Sequence, residues 1–178
     1  MRRPMRRRLA FFGIGCLVAA ALAVGLFVPW GSSGPSVTLP RSVPSLDGGA
    51  AVSLPRLGVH RSEPVVITFF ASWCVPCETE IPDLARYAEV EQSNGAQVEF
   101  IGIDENDTSG GKAFVKKTGV EFPVGSDPYG SVLEDLGAEA ALPQTIFIDT
   151  SGTIIHHVYG SVTTGTTLQT WVGKLVRS

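Results

Sequence analysis

Pro64-Val-Val-Ile-Thr-Phe-Phe-Ala-Ser-Trp-Cys-Val-Pro-Cys77 is the stretch on which the fold turns. Its first eight residues are apolar almost without interruption. A half-exposed strand would alternate, so this run predicts a short strand covered on both faces. Beyond the cysteines the period changes. Ile81, Leu84, Ala85, Tyr87 and Ala88 recur at helical spacing as far as Asn94-Gly95, which predicts a helix over roughly residues 75–93. A buried strand that feeds an amphipathic helix places Cys74 and Cys77 at a helix N-terminus.

The same alternation continues on either side. Residues 98–104 read as a second strand, 109–117 as a helix closed by Gly119, and 131–136 as a short helix. Residues 144–149 form a third apolar strand, and the turn Thr150-Ser-Gly152 joins it to 153–159 as a hairpin. A closing helix is predicted over 164–176, and residues 45–54 read as a small hairpin around Gly48-Gly49. This order implies an α/β domain, a mixed central sheet flanked by helices with an N-terminal β-hairpin extension.

The chain of 178 residues carries a net charge of −3, very unevenly placed. Five arginines crowd the first eight positions, and all 17 acidic residues lie at or after Asp47. Without those arginines the balance is nine basic against 17 acidic residues, a poor match to phosphate backbones, so no nucleic-acid partner is expected. Residues 9–28 are 20 uncharged, mostly apolar residues. That is enough helix to cross about 30 Å of hydrocarbon, with the arginines held on the cytoplasmic side and Trp30 at the far interface. Residues 1–30 therefore predict a single-pass membrane anchor, with a signal sequence cleaved near Ala21-Leu22-Ala23 and a secreted product as the alternative. Residues 31–36 form a flexible linker, and 37–178 form the folded, extracytoplasmic domain. Cys16 falls inside the anchor and is assigned no function.

Cysteines three positions apart on a helix lie roughly 5–6 Å from each other. A disulfide spans Cα distances of about 4.4–6.8 Å, so the pair opens and closes with little backbone movement. The unpaired N–H groups and the dipole of the helix start favour a thiolate at Cys74, and Pro76 fits a first helical turn. Two other readings exist. A structural bridge across so short a loop would stabilise little, and zinc would want about four ligands where only three histidines remain besides the pair. A redox dithiol accounts best for the strand ahead and the helix behind.

Ala71-Ser-Trp-Cys-Val-Pro-Cys-Glu-Thr-Glu-Ile-Pro82 resembles the active-site signature of the TlpA/ResA-like thioredoxins, which include the cytochrome-c-biogenesis reductases. Leu142-Pro-Gln-Thr-Ile-Phe-Ile-Asp149 is similar to that family's second signature, a strand that opens with a cis-proline. The resemblance implies a thioredoxin fold over residues 37–176. It implies that Cys74 is the exposed nucleophile and Cys77 the buried resolving thiol, with Glu80 exchanging protons with Cys77. Trp73 and Pro76 would flank the reacting sulfur, and Leu142 and Pro143 would receive an extended client. Thioredoxins of the cytoplasm carry a buried Asp six residues before the first cysteine, where this chain has Thr68, so the acid is expected from the helix. Gln144 stands where the family more often has Thr.

The implied activity is thiol–disulfide exchange, with reduction of selected disulfides such as those of apocytochrome c or an assembly factor. No cofactor beyond the Cys74–Cys77 disulfide is expected, since no Gly-x-Gly-x-x-Gly follows a strand, and a membrane thiol transporter would supply the electrons. The alternatives are an oxidase for the folding of exported proteins and a non-enzymatic copper carrier or inert adaptor. A peroxidase of this fold would carry Thr three residues before its cysteine, where this chain has Ala71. The run Asp104-Glu-Asn-Asp107 lacks the EF-hand spacing and reads as a solvated loop. His156 and His157 are strand neighbours that point to opposite faces and so cannot chelate one metal together.

Overall fold

The computed structural model describes residues 39–107 and 109–177. They lie within the second of two compact units, Val37–Ser178. The expectations for the anchor, Cys16 and the linker fall outside the described residues. Among those described, no helix is long and apolar enough to cross a membrane.

In chain order the elements are β1 (Ser42–Val43), β2 (Val52–Ser53), β3 (Val65–Phe70), α1 (Cys77–Ser93), β4 (Glu99–Glu105), α2 (Gly111–Thr118), β5 (Val124–Asp127), α3 (Ser131–Asp135), β6 (Gln144–Ile148), β7 (Ile154–Tyr159) and α4 (Thr167–Leu175). The main sheet has the order β5-β4-β3-β6-β7. β3 pairs in parallel with β4, and β4 with β5, while β6 runs antiparallel to both β3 and β7. The sheet is therefore mixed, with β3 at its centre. All six residues of β3 are buried, as its continuous apolar run requires.

Alternation along the strands divides the core in two. Val66, Phe70, Phe100 and Phe147 pack with Ile81, Leu84 and Ala88 of α1, Phe114 of α2 and Leu168 and Val172 of α4. On the other face Ile67, Phe69, Ile101 and Ile146 pack with Val132 and Leu133 of α3 and with Val43 and Val52 of the small hairpin. α1 buries Cys77, Glu80, Ile81, Leu84, Ala85 and Ala88, one stripe at helical spacing, and carries Pro82 within it.

Two expectations need correction. The hairpin pairs Ser42 with Ser53 and Val43 with Val52, so its first strand precedes residue 45 and Gly48-Gly49 lie in a wider loop. That loop docks on the sheet edge, where the Leu46 N–H donates to the Val124 carbonyl and the Ser126 N–H to that of Pro44, at 2.9 and 2.8 Å. Strand β5 was not anticipated. Its Gly125 breaks the apolar pattern because the Val43 side chain occupies the space a Cβ would need.

Candidate active site

β3 ends at Phe70 and α1 begins at Cys77, and the six residues between them form the site. Cys74 and Cys77 are joined by a disulfide with a Cα–Cα distance of 5.3 Å. The turn is closed by hydrogen bonds from the Cys74 N–H to the Ala71 carbonyl and from the Cys77 N–H to the Cys74 carbonyl, both 3.1 Å. The Cys77 N–H also lies 3.3 Å from Cys74 Sγ, a donor aimed at the atom that would carry charge after reduction. Cys74 is 4% exposed and Cys77 0%. The expectation of an openly exposed Cys74 is thus corrected. Its sulfur is enclosed while the disulfide is closed, and what accessibility remains belongs to Cys74. Around it Val75 and Pro76 are exposed, as is Trp73 at 56%. Trp73 is not a core residue, and its indole N–H donates to the Asn106 carbonyl at 3.2 Å.

Glu80 lies one helical turn beyond Cys77 at 1% exposure. Oε2 accepts the Val162 N–H at 2.9 Å, whereas Oε1 is buried without a hydrogen bond. Burial raises this carboxyl above the ordinary range, against the Ser161 hydroxyl and the Val162 amide. Glu78, on the outer face, pairs with Lys117 at 3.4 Å across solvent. Thr68 is buried and its hydroxyl meets that of Thr145 at 3.3 Å, so no acid stands at that place in β3.

The Leu142–Pro143 peptide is cis, at the start of β6. Gln144 braces the approach to it. Its Nε2 donates to the Glu139 carbonyl at 2.6 Å and to that of Ala141, and its Oε1 meets His157 Nε2 at 2.8 Å. His156 faces the other way and stacks on Trp171 at 3.8 Å.

The run 104–107 is not a solvated loop. Asp104, Glu105 and Asp107 are all buried. Asp107 accepts the Ser72 N–H at 2.9 Å, two residues before Cys74, and the N–H groups of Ser109 and Gly110 at 3.0 and 2.9 Å. Burial would raise its pKa, but these bonds outweigh that and hold it at about 2. Asp107 was missed as a site residue. Its signal in the sequence was an Asp two and three residues ahead of a Ser-Gly pair at a helix start, the pattern of a side chain that caps backbone N–H groups. Both oxygens of Asp104 lack partners, and burial with nearby Asp107 raises it to about 7. A cavity of about 800 Å3 beside the hairpin, lined among others by Leu46 and Lys112, includes none of the cysteine-site residues.

Comparison with known proteins agrees with this geometry. The chain is 31% identical to the thiol-disulfide oxidoreductase ResA of Bacillus thuringiensis subsp. konkukian over 99 residues, and so spans only 56% of that relative. It is 26% identical to ResA of Bacillus subtilis over 164 residues, 89% of each chain. The structure of MTB DsbF, in mixed oxidized and reduced forms, superposes with a TM-score of 0.63 at 28% identity, covering 78% of this chain and 99% of that one. The thioredoxin fold expected from the two signatures is the fold observed. The AhpC/TSA family model matches residues 31–157, and on that match the chain belongs to the AhpC/TSA family.

Proposed function

We propose that this chain is a membrane-tethered, extracytoplasmic thiol–disulfide oxidoreductase that reduces selected client disulfides through Cys74 and Cys77. The carrying observation is the closed disulfide at the start of α1, with one buried carboxyl, Glu80, a turn behind it. The Cys74 thiolate attacks one client sulfur, forming a mixed disulfide and expelling the other client sulfur as a thiolate. Cys77 then gives up its proton to Glu80 and attacks Cys74 Sγ, so that the second client sulfur leaves. Two electrons pass from the dithiol to the client, and the pair ends as the disulfide described. Leu142, ahead of the cis Pro143, offers its backbone to an extended client, and Trp73 and Pro76 supply apolar surface beside the sulfur. Apocytochrome c or an assembly factor fits as client, with a membrane thiol transporter restoring the dithiol.

The reduction potential of the pair in the full chain, equilibrated against glutathione or dithiothreitol, tests the direction of electron flow. A value near about −250 mV is expected; a value near about −130 mV would replace the reductase by a folding oxidase on the same scaffold.

A further inference from the structure

Between Trp73 and Leu142, the residues that flank Cys74 and the cis proline, lies a cleft of about 310 Å3. Exposed Tyr129 forms another part of its wall, and its charged lining is Glu105 and Glu134. Glu105 is 4% exposed, and its Oε2 is buried without a hydrogen-bond partner. The titratable groups around it are Asp127, its register partner on β5, Asp104, its neighbour in β4 that points to the other face of the sheet, and Glu134 and Tyr129, which line the same cleft. None is cationic. Asp127 is already committed to the Ser131 hydroxyl and the Val132 N–H, at 3.0 and 2.7 Å. Among the described residues the ion pairs are Arg61–Glu99, Arg86–Asp83 and Lys117–Glu78, so Glu105 has no counter-ion within the fold.

A buried carboxylate without a counter-charge is costly, and a cation brought from outside relieves it. Burial, Asp127 and Asp104 together push Glu105 up to about 8, against the Leu133 N–H, so a cation that enters also displaces a proton. Two aromatic side chains at the rim suit an ammonium or guanidinium group, and Leu142 and Ala138 suit the methylenes that carry it.

We propose that this cleft is a client subsite for a basic side chain, Lys or Arg, placed within a few residues of the reacting cysteine. The proposal rests on the thiol–disulfide exchange reading and assigns that site a substrate preference. It makes Glu105 and Glu134 specificity residues.

The test uses the reduced full chain in detergent and short peptides whose single cysteine is disulfide-bonded to thionitrobenzoate. Cys74 attacks the peptide sulfur and thionitrobenzoate leaves as a coloured thiolate; Cys77 then closes on Cys74 and frees the peptide thiol. A position two residues from the cysteine is Lys, norleucine or Glu. Each rate is divided by the rate of the same protein with a small uncharged thionitrobenzoate disulfide. The Lys peptide should exceed norleucine by about fivefold or more at low salt, and Glu should be slowest. That ratio should fall towards one in Glu105→Gln, and also in Glu134→Gln, where the change is at the surface and the fold is not at risk. Equal rates for Lys and norleucine, or a Lys preference untouched by both variants, overturns the subsite. Failure to reduce even the small disulfide overturns the exchange reading instead. The subsite is then judged by titrating Trp fluorescence with cysteine-free Lys and norleucine peptides, where equal binding overturns it.

Discussion

Cys77 and Glu80 share one face of α1, at 0% and 1% exposure. A thiol so enclosed has no water to take its proton, and burial disfavours its thiolate. Glu80 is the nearest acid along that face, and burial lifts its own pKa, which brings its proton affinity closer to that of a thiol. Its two oxygens are held differently. Oε2 is fixed by the Val162 N–H, and Oε1 makes no direct hydrogen bond, although the Ser161 hydroxyl is close enough to favour the charged form. Glu80→Gln keeps a carbonyl oxygen for Val162 and removes only the titration. The variant should resolve its mixed disulfide roughly 100 times more slowly or worse. In the parent, resolution should slow as pH falls and Glu80 becomes protonated, and the variant should lack that acid limb. Stopped-flow resolution rates across pH check this, and a profile identical to the parent's would remove Glu80 from the mechanism.

At the scale of elements, the start of α2 is packed onto the cysteine turn as tightly as any part of the fold. A Cβ on Gly110 would overlap the Ser72 side chain, and one on Gly111 would overlap the Asp104 carboxylate. Asp107 ties the two segments by accepting from Ser72 on one side and from Ser109 and Gly110 on the other. By intrinsic propensity Gly111→Ala should stabilise the helix by up to about 1 kcal/mol. Here it should destabilise by about 1–3 kcal/mol, because a buried carboxylate must move to make room. Urea midpoints of parent and variant decide the sign, and a gain in stability would show that Asp104 moves freely. Most of this element order was legible in the sequence. The expected helix over 109–117 is present as Gly111–Thr118, closed by Gly119 with φ 72°, and the hairpin over 144–159 is present as β6 and β7. β5 was illegible because its four residues, Val-Gly-Ser-Asp, carry no apolar periodicity. It is defined by a neighbour in the sheet and by a hairpin some 80 positions earlier, as the antiparallel bridge of Ser45 to Gly125 records.

Across the whole molecule, the burial of acids was the feature least readable from local sequence. Cys74, Cys77 and Glu80 sit in one short motif whose spacing carries their geometry, and Pro143 was marked by the family resemblance of its strand. Asp104, Glu105 and Asp107 look like surface residues until β5, α2 and α3 close over them, and those contacts come from distant parts of the chain. Their enclosure sets how stability depends on pH. Asp104 and Glu105 have folded-state pKa values raised to about 7 and about 8 from their ordinary values of 3.8 and 4.5, so between those limits the native state holds more protons than the unfolded chain. Stability must then fall as pH rises through that window. Asp107 acts in the opposite sense and far lower. Its pKa is held at about 2, so its contribution is present above the unfolded value and is lost only in strong acid. Asp104 and Glu105 should therefore make the chain more stable near pH 5 than near pH 8, by several kcal/mol, opposed by His156 and His157, whose pKa values burial lowers, and Glu105→Gln should reduce that difference. Urea unfolding at the two pH values measures it. A midpoint that does not change between them would mean that these carboxylates ionise at ordinary pH within the fold, which requires water or a bound cation to reach them where the described structure encloses them.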